Sequence, residues 1–305
     1  MRGEELISRY RSNYSIPQET LVTEEMILRH WELEKELTGR LLGSQPSNRW
    51  QIFEECYTTL YSELAWLNDK TPSDVASGRG HSEWARFIGP PPKYVYEVGS
   101  GKGALITYLA GSGYVCRGSE VTKTRGEALT EQHSNLSWGI TDGVHLDEFE
   151  PAAAYDAVIS DQVIEHLHPD DLSEHFRGAF AILKHGGRYV FSTPHRFYGP
   201  MDVSRVFKCD TPKGMHLKEY TFAELVNAAR QAGFGSFAAP LRVPRKVRRL
   251  FGGRPEPRNS RAYLGYLMAL ETVIGTVSPH ARRRKIARAA RAILFDGVIV
   301  AAFKN

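Results

Sequence analysis

Apolar residues in the first seventy positions recur at three-to-four spacing, with charged residues between them. LVTEEMILRHWELEKELTGRLL at 21–42 and NRWQIFEECYTTLYSELAWL at 48–67 carry this pattern, which predicts two amphipathic helices, each with one face to bury. They form an N-terminal helical cap. TPSDVASGRG at 71–80 breaks the period and reads as a linker, so cap and linker take residues 1–78. A helix around His81 to Ile88 is then stopped by Gly89 and the run Pro90-Pro91-Pro92.

Beyond the prolines the pattern changes to strand and helix in alternation. YVYEVGS, YVCRGSEV, AYDAVISD and RYVFSTP read as strands, the last after a Gly186-Gly187 turn. Helices are expected at Gly103 to Ala110, Arg125 to His133, Asp171 to Leu183 and Phe222 to Gly233. Strands joined through single helices require right-handed crossovers and a mostly parallel sheet, an α/β architecture with helices on both faces. FGSFAAPL and DGVIVAAFK add two more strands, and RAYLGYLMALETVIG and RRRKIARAARAIL read as helices between them. The core is thus expected at 79–240, a helical insert at 241–294 and the last core strand at 295–305.

At 305 residues, 42% hydrophobic and 24% charged, the chain can bury a full core. The net charge of +4 is unevenly placed. From Arg242 to Arg291 there are 14 arginines and lysines against only Glu256 and Glu271. Such asymmetry points to an anionic partner, whether a phosphate-bearing substrate, nucleic acid or a membrane surface, or else to a solvated basic face. Nucleic acid is disfavoured, because the basic segment has little aromatic interleaving beyond Phe251, Tyr263 and Tyr266. The scattered Cys56, Cys116 and Cys209 fit neither a disulfide framework nor a zinc site. The opening segment lacks the features of a secretory signal, and the longest apolar stretch, Ala262 to Val277, is interrupted by Glu271. A cytoplasmic protein, monomer or homodimer, is expected.

The first strand runs into Glu97-Val98-Gly99-Ser100-Gly101-Lys102-Gly103, and a helix follows. Glycines there let the backbone turn sharply and approach a ligand. Glu120, at the end of strand two, lies about 20 residues on, where a carboxylate accepts ribose hydroxyls. Then come Asp142-Gly143, the strand ending in Asp161-Gln162, and Ile164-Glu165-His166-Leu167. This succession resembles the class I S-adenosylmethionine-dependent methyltransferases over residues 79–240 plus the last strand.

The resemblance implies a Rossmann-like sheet of seven mostly parallel strands and S-adenosyl-L-methionine as cofactor. It assigns Glu97, Gly99, Ser100, Gly101 and Gly103 to the methionine part, Glu120 to the ribose, and Asp142 and Gly143 to the adenine. Asp161 and Gln162 fall beside the sulfonium. Arg79 lies where related ubiquinone-pathway O-methyltransferases carry an arginine facing the cofactor carboxylate, with His81 a nearby substitute; a surface arginine in the linker is the other reading.

Ligands of open α/β sheets sit beyond the carboxyl ends of the strands, which puts the Asp161 to His168 loop at the reaction centre. Gln162-Val163-Ile164-Glu165-His166 resembles, in part, the Glu-x-x-Glu-His run of ubiquinone-pathway O-methyltransferases and of metal-dependent methyltransferases acting on the terminal ribose of small RNAs, and His216 resembles the distant histidine that the RNA enzymes add. The resemblance implies Gln162, Glu165, His166 and His216 as ligands of magnesium, with Gln162 in place of the family's Glu. Without a metal, His166, His195 or His216 would serve as general base, and the Glu165-His166 pair also occurs in metal-free relatives. The long loop from His195 to Arg205 is a candidate acceptor lid, together with the cap and the insert. The expected acceptor is a hydroxyl of a sugar, glycan or natural-product small molecule, with an anionic group within reach of the insert. The alternatives are RNA ribose 2'-O-methylation and a non-catalytic module at a membrane surface or protein partner.

Overall fold

The structure, a computed structural model, describes residues 2–70, 78–241, 259–277, 280–289 and 297–305. Most of the expected linker and the arginine-rich start of the insert therefore lie outside the described residues. The cap has four helices, α1 (Glu4–Tyr14), α2 (Glu24–Leu42), α3 (Arg49–Glu63) and α4 (Ala65–Lys70), and α5 (Gly78–Ile88) leads into the sheet. The core runs β1 (Tyr94–Val98), α6 (Ala104–Gly111), β2 (Val115–Glu120), β3 (Leu136–Ile140), α7 (Leu146–Phe149), β4 (Tyr155–Asp161), α8 (Leu172–Ile182), β5 (Leu183–Pro194), α9 (Phe222–Gln231) and β6 (Ser236–Pro240). It ends with β7 (Asn259–Ser260), α10 (Arg261–Gly275), α11 (His280–Ala289) and β8 (Gly297–Phe303).

Eight strands, not seven, join in the order β3-β2-β1-β4-β5-β8-β6-β7. The extra one is the two-residue β7, which pairs antiparallel with the end of β6 just before α10. β1 to β5 are parallel, while β8 runs antiparallel between β5 and β6. Alternate residues of the central strands feed two cores. Tyr96, Val98, Tyr189 and Phe191 pack with α8 and α9 on one face, and Val95, Ile159 and Val190 pack with α5 and α6 on the other. Burial on both faces is why these strands are almost continuously apolar.

A third core joins the cap to the sheet. Leu6, Tyr10, Ile27, Leu37 and Phe53 of the cap pack with Val203, Val206, Met215 and Leu217 from the excursion between β5 and α9. The cap is therefore fastened to the very loops that follow the carboxyl end of the sheet.

Three local expectations are corrected. α1 was hidden by its polar composition, although Leu6 and Tyr10, four apart, are both fully buried. The helix expected at Arg125 to His133 is only a single 3-10 turn, Gly126–Leu129, because Gly126 sits at φ 61° with Trp138 where a side chain would stand. The expected Gly186-Gly187 turn is instead a shift of register within β5, between the Leu183 and Arg188 pairings. No described helix is long and apolar enough to cross a membrane.

Glu271, which interrupts the apolar face of α10, anchors that helix. Its buried carboxylate accepts hydrogen bonds from the first two N–H groups of α9, Phe222 at 2.6 Å and Ala223 at 3.1 Å, and bonds His195 Nε2 at 2.9 Å. It supplements the capping box of Thr221 and Glu224 and faces the positive end of the α9 dipole. Replacing Glu271 with Ala strands three buried donors, so urea denaturation should show a loss of about 2–4 kcal/mol. Thr272→Ala, on the exposed side of the same helix, should change stability by under about 0.5 kcal/mol; equal effects would contradict the anchoring role.

Candidate functional site

At the carboxyl end of β1 the chain turns through Gly99, Gly101 and Gly103, all with φ between 59° and 75°. A Cβ at Gly99 would stand 2.7 Å from Val163, so glycine is required by contact as well as by conformation. The Gly101 N–H is donated to Glu120, whose other carboxylate oxygen accepts from Val121 at 3.3 Å. A cavity of about 330 Å³ opens here, and Gly99, Gly101 and Glu120 line its floor. Asp142, Gly143, Asp161, Gln162 and His166 complete the core side, while Phe53, Tyr57, Leu60 and Tyr61 of α3 form the roof.

Each wall is held by a short-range device. Asp142 accepts from the N–H groups of Val144 and His145 at 2.8 and 2.9 Å, fixing the turn around Gly143. Gly143 O in turn accepts from His175 Nδ1 at 2.6 Å. Gln162 takes φ 57°, donates its N–H to Ser192 O at 3.0 Å and its side-chain amide to Ser192 Oγ at 2.9 Å. This leaves the amide oxygen as its remaining polar group.

Glu97 and Ser100 are buried behind the glycine turn. Glu97 Oε2 has no hydrogen-bond partner among the described residues. Burial pushes the Glu97 carboxyl up to about 8, and the carboxylates of Asp161 and Glu120 add to the rise. Burial likewise lifts Glu120 to about 7, against the opposing pull of the Gly101 and Val121 N–H groups. Two buried acids held this far from their usual range make a site that gains by receiving a cation.

A second cluster lies beside the cavity. Glu165 and His166 sit on a 3-10 turn, Ile164–His166, directly after β4, and His216 arrives from the excursion before α9. One ligand atom from each of Glu165, His166 and His216 lies within 4.8 Å of the others, and the two rings meet edge to face at 4.9 Å. Both imidazoles are oriented through Nδ1. His166 Nδ1 contacts Met215 O at 3.0 Å, and His216 Nδ1 contacts Glu219 Oε1 at 3.0 Å. A carbonyl oxygen can only accept, so His166 carries its proton on Nδ1 and presents a bare Nε2.

Burial, with His216 nearby, pushes His166 down to about 3, so its neutral form holds throughout the working range. Burial also works against a charge on His216, yet the Glu219 hydrogen bond and the carboxylates of Glu165 and Asp202 outweigh it and lift His216 to about 9. Glu165 is raised by burial to about 7, and its Oε1 has no hydrogen-bond partner among the described residues. Of the three, only His166 lines the cavity.

The remaining expected residues lie elsewhere. His195 is buried with both nitrogens engaged, Nε2 by Glu271 and Nδ1 by the Phe197 N–H at 3.1 Å, and is not on the cavity lining; it braces the α9–α10 junction and has no nitrogen open to an acceptor. His81 packs against Tyr108 at 5.5 Å, on the α5–α6 side, away from the cavity lining. The Arg79 side chain lies outside the described residues.

Sequence reading offered the cap as a lid but named none of the residues of the roof, and it missed the supports. Phe53, Tyr57 and Tyr61 stand four apart on α3, an aromatic stripe whose spacing was legible although its destination was not. Glu34 had no local signal at all. Its carboxylate bonds His30 Nε2 at 2.6 Å and accepts the Met215 N–H at 3.1 Å, while the Tyr10 hydroxyl bonds His30 Nδ1 at 2.6 Å. The Met215 peptide is thus gripped by the cap through its N–H and by His166 through its carbonyl.

A family model described as a methyltransferase domain matches residues 79–235, which span β1 to β5, the glycine turn and the Glu165-His166 turn. The chain belongs to this methyltransferase family. A sarcosine/dimethylglycine N-methyltransferase from Halorhodospira halochloris is 28% identical over 151 residues, and the match covers 46% of this methyltransferase and about half, 50%, of that enzyme. Among solved structures, the 1,6-didemethyltoxoflavin-N1-methyltransferase of Burkholderia thailandensis, with 1,6-didemethyltoxoflavin and S-adenosylhomocysteine bound, is similar at 15% identity and TM-score 0.53. That alignment covers 86% of this chain and 91% of that one. A SAM-dependent methyltransferase from Archaeoglobus fulgidus is similar at 14% identity and TM-score 0.52, over 81% and 99% of the two chains. At such identities these two structures show a shared fold.

S-adenosylmethionine carries an ammonium and a sulfonium, cationic groups of the kind that buried acids such as these would stabilise. Because burial raises Glu97 to about 8 and Glu120 to about 7, binding a cation favours loss of their protons, and affinity should rise with pH. Calorimetry between pH 6 and 7.5, below the ammonium's own pKa of about 7.7–8.0, should show a gain of about tenfold or more. Glu97→Gln should flatten the slope; an affinity that is level or falls with pH would contradict the electrostatic account.

Proposed function

We propose that this methyltransferase transfers a methyl group from S-adenosylmethionine to a hydroxyl oxygen of a sugar, glycan or natural-product small molecule, with help from a divalent cation. One observation carries the reading: two imidazoles oriented through Nδ1 and a buried carboxylate with an unpartnered oxygen converge within 4.8 Å. Histidines that ligate metals are typically fixed in this way by a carbonyl or carboxylate on the far nitrogen. An alcohol is a poor nucleophile until its proton is weakened. That need explains a site richer in Lewis-base ligands than a free amine requires.

The residues fit a cation on charge as well. Glu219, Glu165 and Asp202 raise the proton affinity of His216, and the same carboxylates would favour a metal ion. Glu165, His166 and His216 would hold the ion, with the amide oxygen of Gln162 as a fourth donor. The sequence resemblance implied magnesium, whereas two imidazoles and one carboxylate suit manganese, iron or zinc better. Bound there, the cation would lower the pKa of an acceptor hydroxyl. The cofactor supplies a methyl group that is already electrophilic, so the chain's own work is alignment and exclusion of water. Gly99 to Gly103 and Glu120 seat the nucleoside, the α3 aromatics cover it, and Glu219 and Met215 O keep the imidazoles in register.

A second reading, transfer to an amine nitrogen, is favoured by the N-methyltransferase relative. In that case the neutral amine's own lone pair would attack, the methylated ammonium would release its proton to water, and no metal would be needed. Dialysis against a chelator separates the two. Turnover should fall by at least about a hundredfold and return with manganese or zinc, and His216→Asn should bind metal more weakly and lose turnover by a similar factor. Unchanged turnover in chelator, with no metal bound at equilibrium, would remove the metal and favour the amine.

A further inference from the structure

A second concavity, of about 760 Å³, lies between α1, α11 and the excursion after β5. Arg9, Arg205, Lys208 and Arg284 line it, no acidic side chain does, and Ser8, Ser12 and Asn13 add neutral hydrogen-bonding groups from one face of α1. The Arg9 guanidinium donates to the carbonyls of Arg205 at 2.7 Å and Val206 at 3.0 Å, and Arg205 approaches only the Met201 sulfur at 3.5 Å. Neither has a carboxylate partner among the described residues. Lys208 pairs with Glu5 at 3.0 Å and Arg284 with Asp210 at 2.9 Å, but both acids are largely exposed and such pairs are worth little.

We propose that this groove is a binding site for the phosphate group of a small phosphorylated molecule. Guanidinium groups beside hydroxyl and amide groups suit the oxygens of a phosphate, and Arg205 has no carboxylate partner among the described residues, while Arg9 feels only the exposed Glu5 at longer range. The volume is that of a small-ligand pocket, larger than a lone phosphate fills. Tyr198, Pro200 and Met201 supply a less polar wall for the rest of the molecule. That wall is also close to the chemistry. The Met201 N–H donates at 2.6 Å to Glu219 Oε1, the oxygen that orients His216. The site stands whether the acceptor is a hydroxyl or an amine.

Cys209 lines the groove and is partly exposed, whereas Cys56 and Cys116 are buried, so its alkylation reports on occupancy without cofactor or acceptor. Iodoacetamide labelling of Cys209, followed by mass spectrometry at fixed ionic strength, should be slowed saturably by inorganic pyrophosphate. Arg205→Gln, an exposed position, should raise the half-protecting concentration by about tenfold or more, while Arg177→Gln on α8 should leave it unchanged. Absence of protection, equal protection in Arg205→Gln, or protection by phosphatidylglycerol vesicles or a short RNA but not by pyrophosphate would overturn the proposal. Because the labelling uses no methyl donor, its failure is distinguishable from failure of the methyltransferase reading.

Discussion

The Met215 peptide is held from two sides, and the catalytic end of the molecule is organised around that grip. On one side the Glu34 carboxylate, braced by His30 and Tyr10, accepts a hydrogen bond from its N–H; on the other, its carbonyl accepts one from His166 Nδ1–H. All four side chains are deeply buried or roofed, where an unmade hydrogen bond costs far more than a made one gains. The consequence is chemical. The tautomer of His166 is chosen by a peptide that the N-terminal cap positions, so a helix pair remote in sequence sets which nitrogen meets the cavity.

The cavity beside the glycine turn rests on a different balance. The glycine turn brings backbone close to the ligand, and the acids that line and underlie it are uncomfortable when alone, as the upward shifts of Glu97 and Glu120 express. A cationic nucleoside relieves that discomfort. The α3 aromatics roof the cavity, and electrostatic interactions are stronger where such a cover excludes water. Cap and core therefore act together: one fixes the imidazole and the roof, and the other supplies the charge and the turn.

Much of the core was legible because its signals are local. Glycine spacing, Glu120 at the end of strand two and apolar strands between helical stretches all follow from short-range rules, and the parallel sheet follows from them. The eighth strand was not, because two residues of β7 carry no pattern and pair only where β6 happens to end. His195 illustrates the limit of reading a histidine after a strand as chemistry. Its partner Glu271 is 76 residues away on a helix whose acid looked like a mere interruption. Glu34 and Met215 are 181 residues apart, and nothing near either one announces the other.

The tautomer and charge of His166 test this organisation most directly. Nitrogen-15 NMR of the imidazole, assigned with a His166→Gln variant, should show a neutral ring protonated on Nδ1 from pH 8 down to about 5, with no titration near the free histidine value of about 6.5. A ring protonated on Nε2, or one that takes up a second proton near pH 6.5, would mean that the Met215 carbonyl does not hold it and that the cap does not set the chemistry.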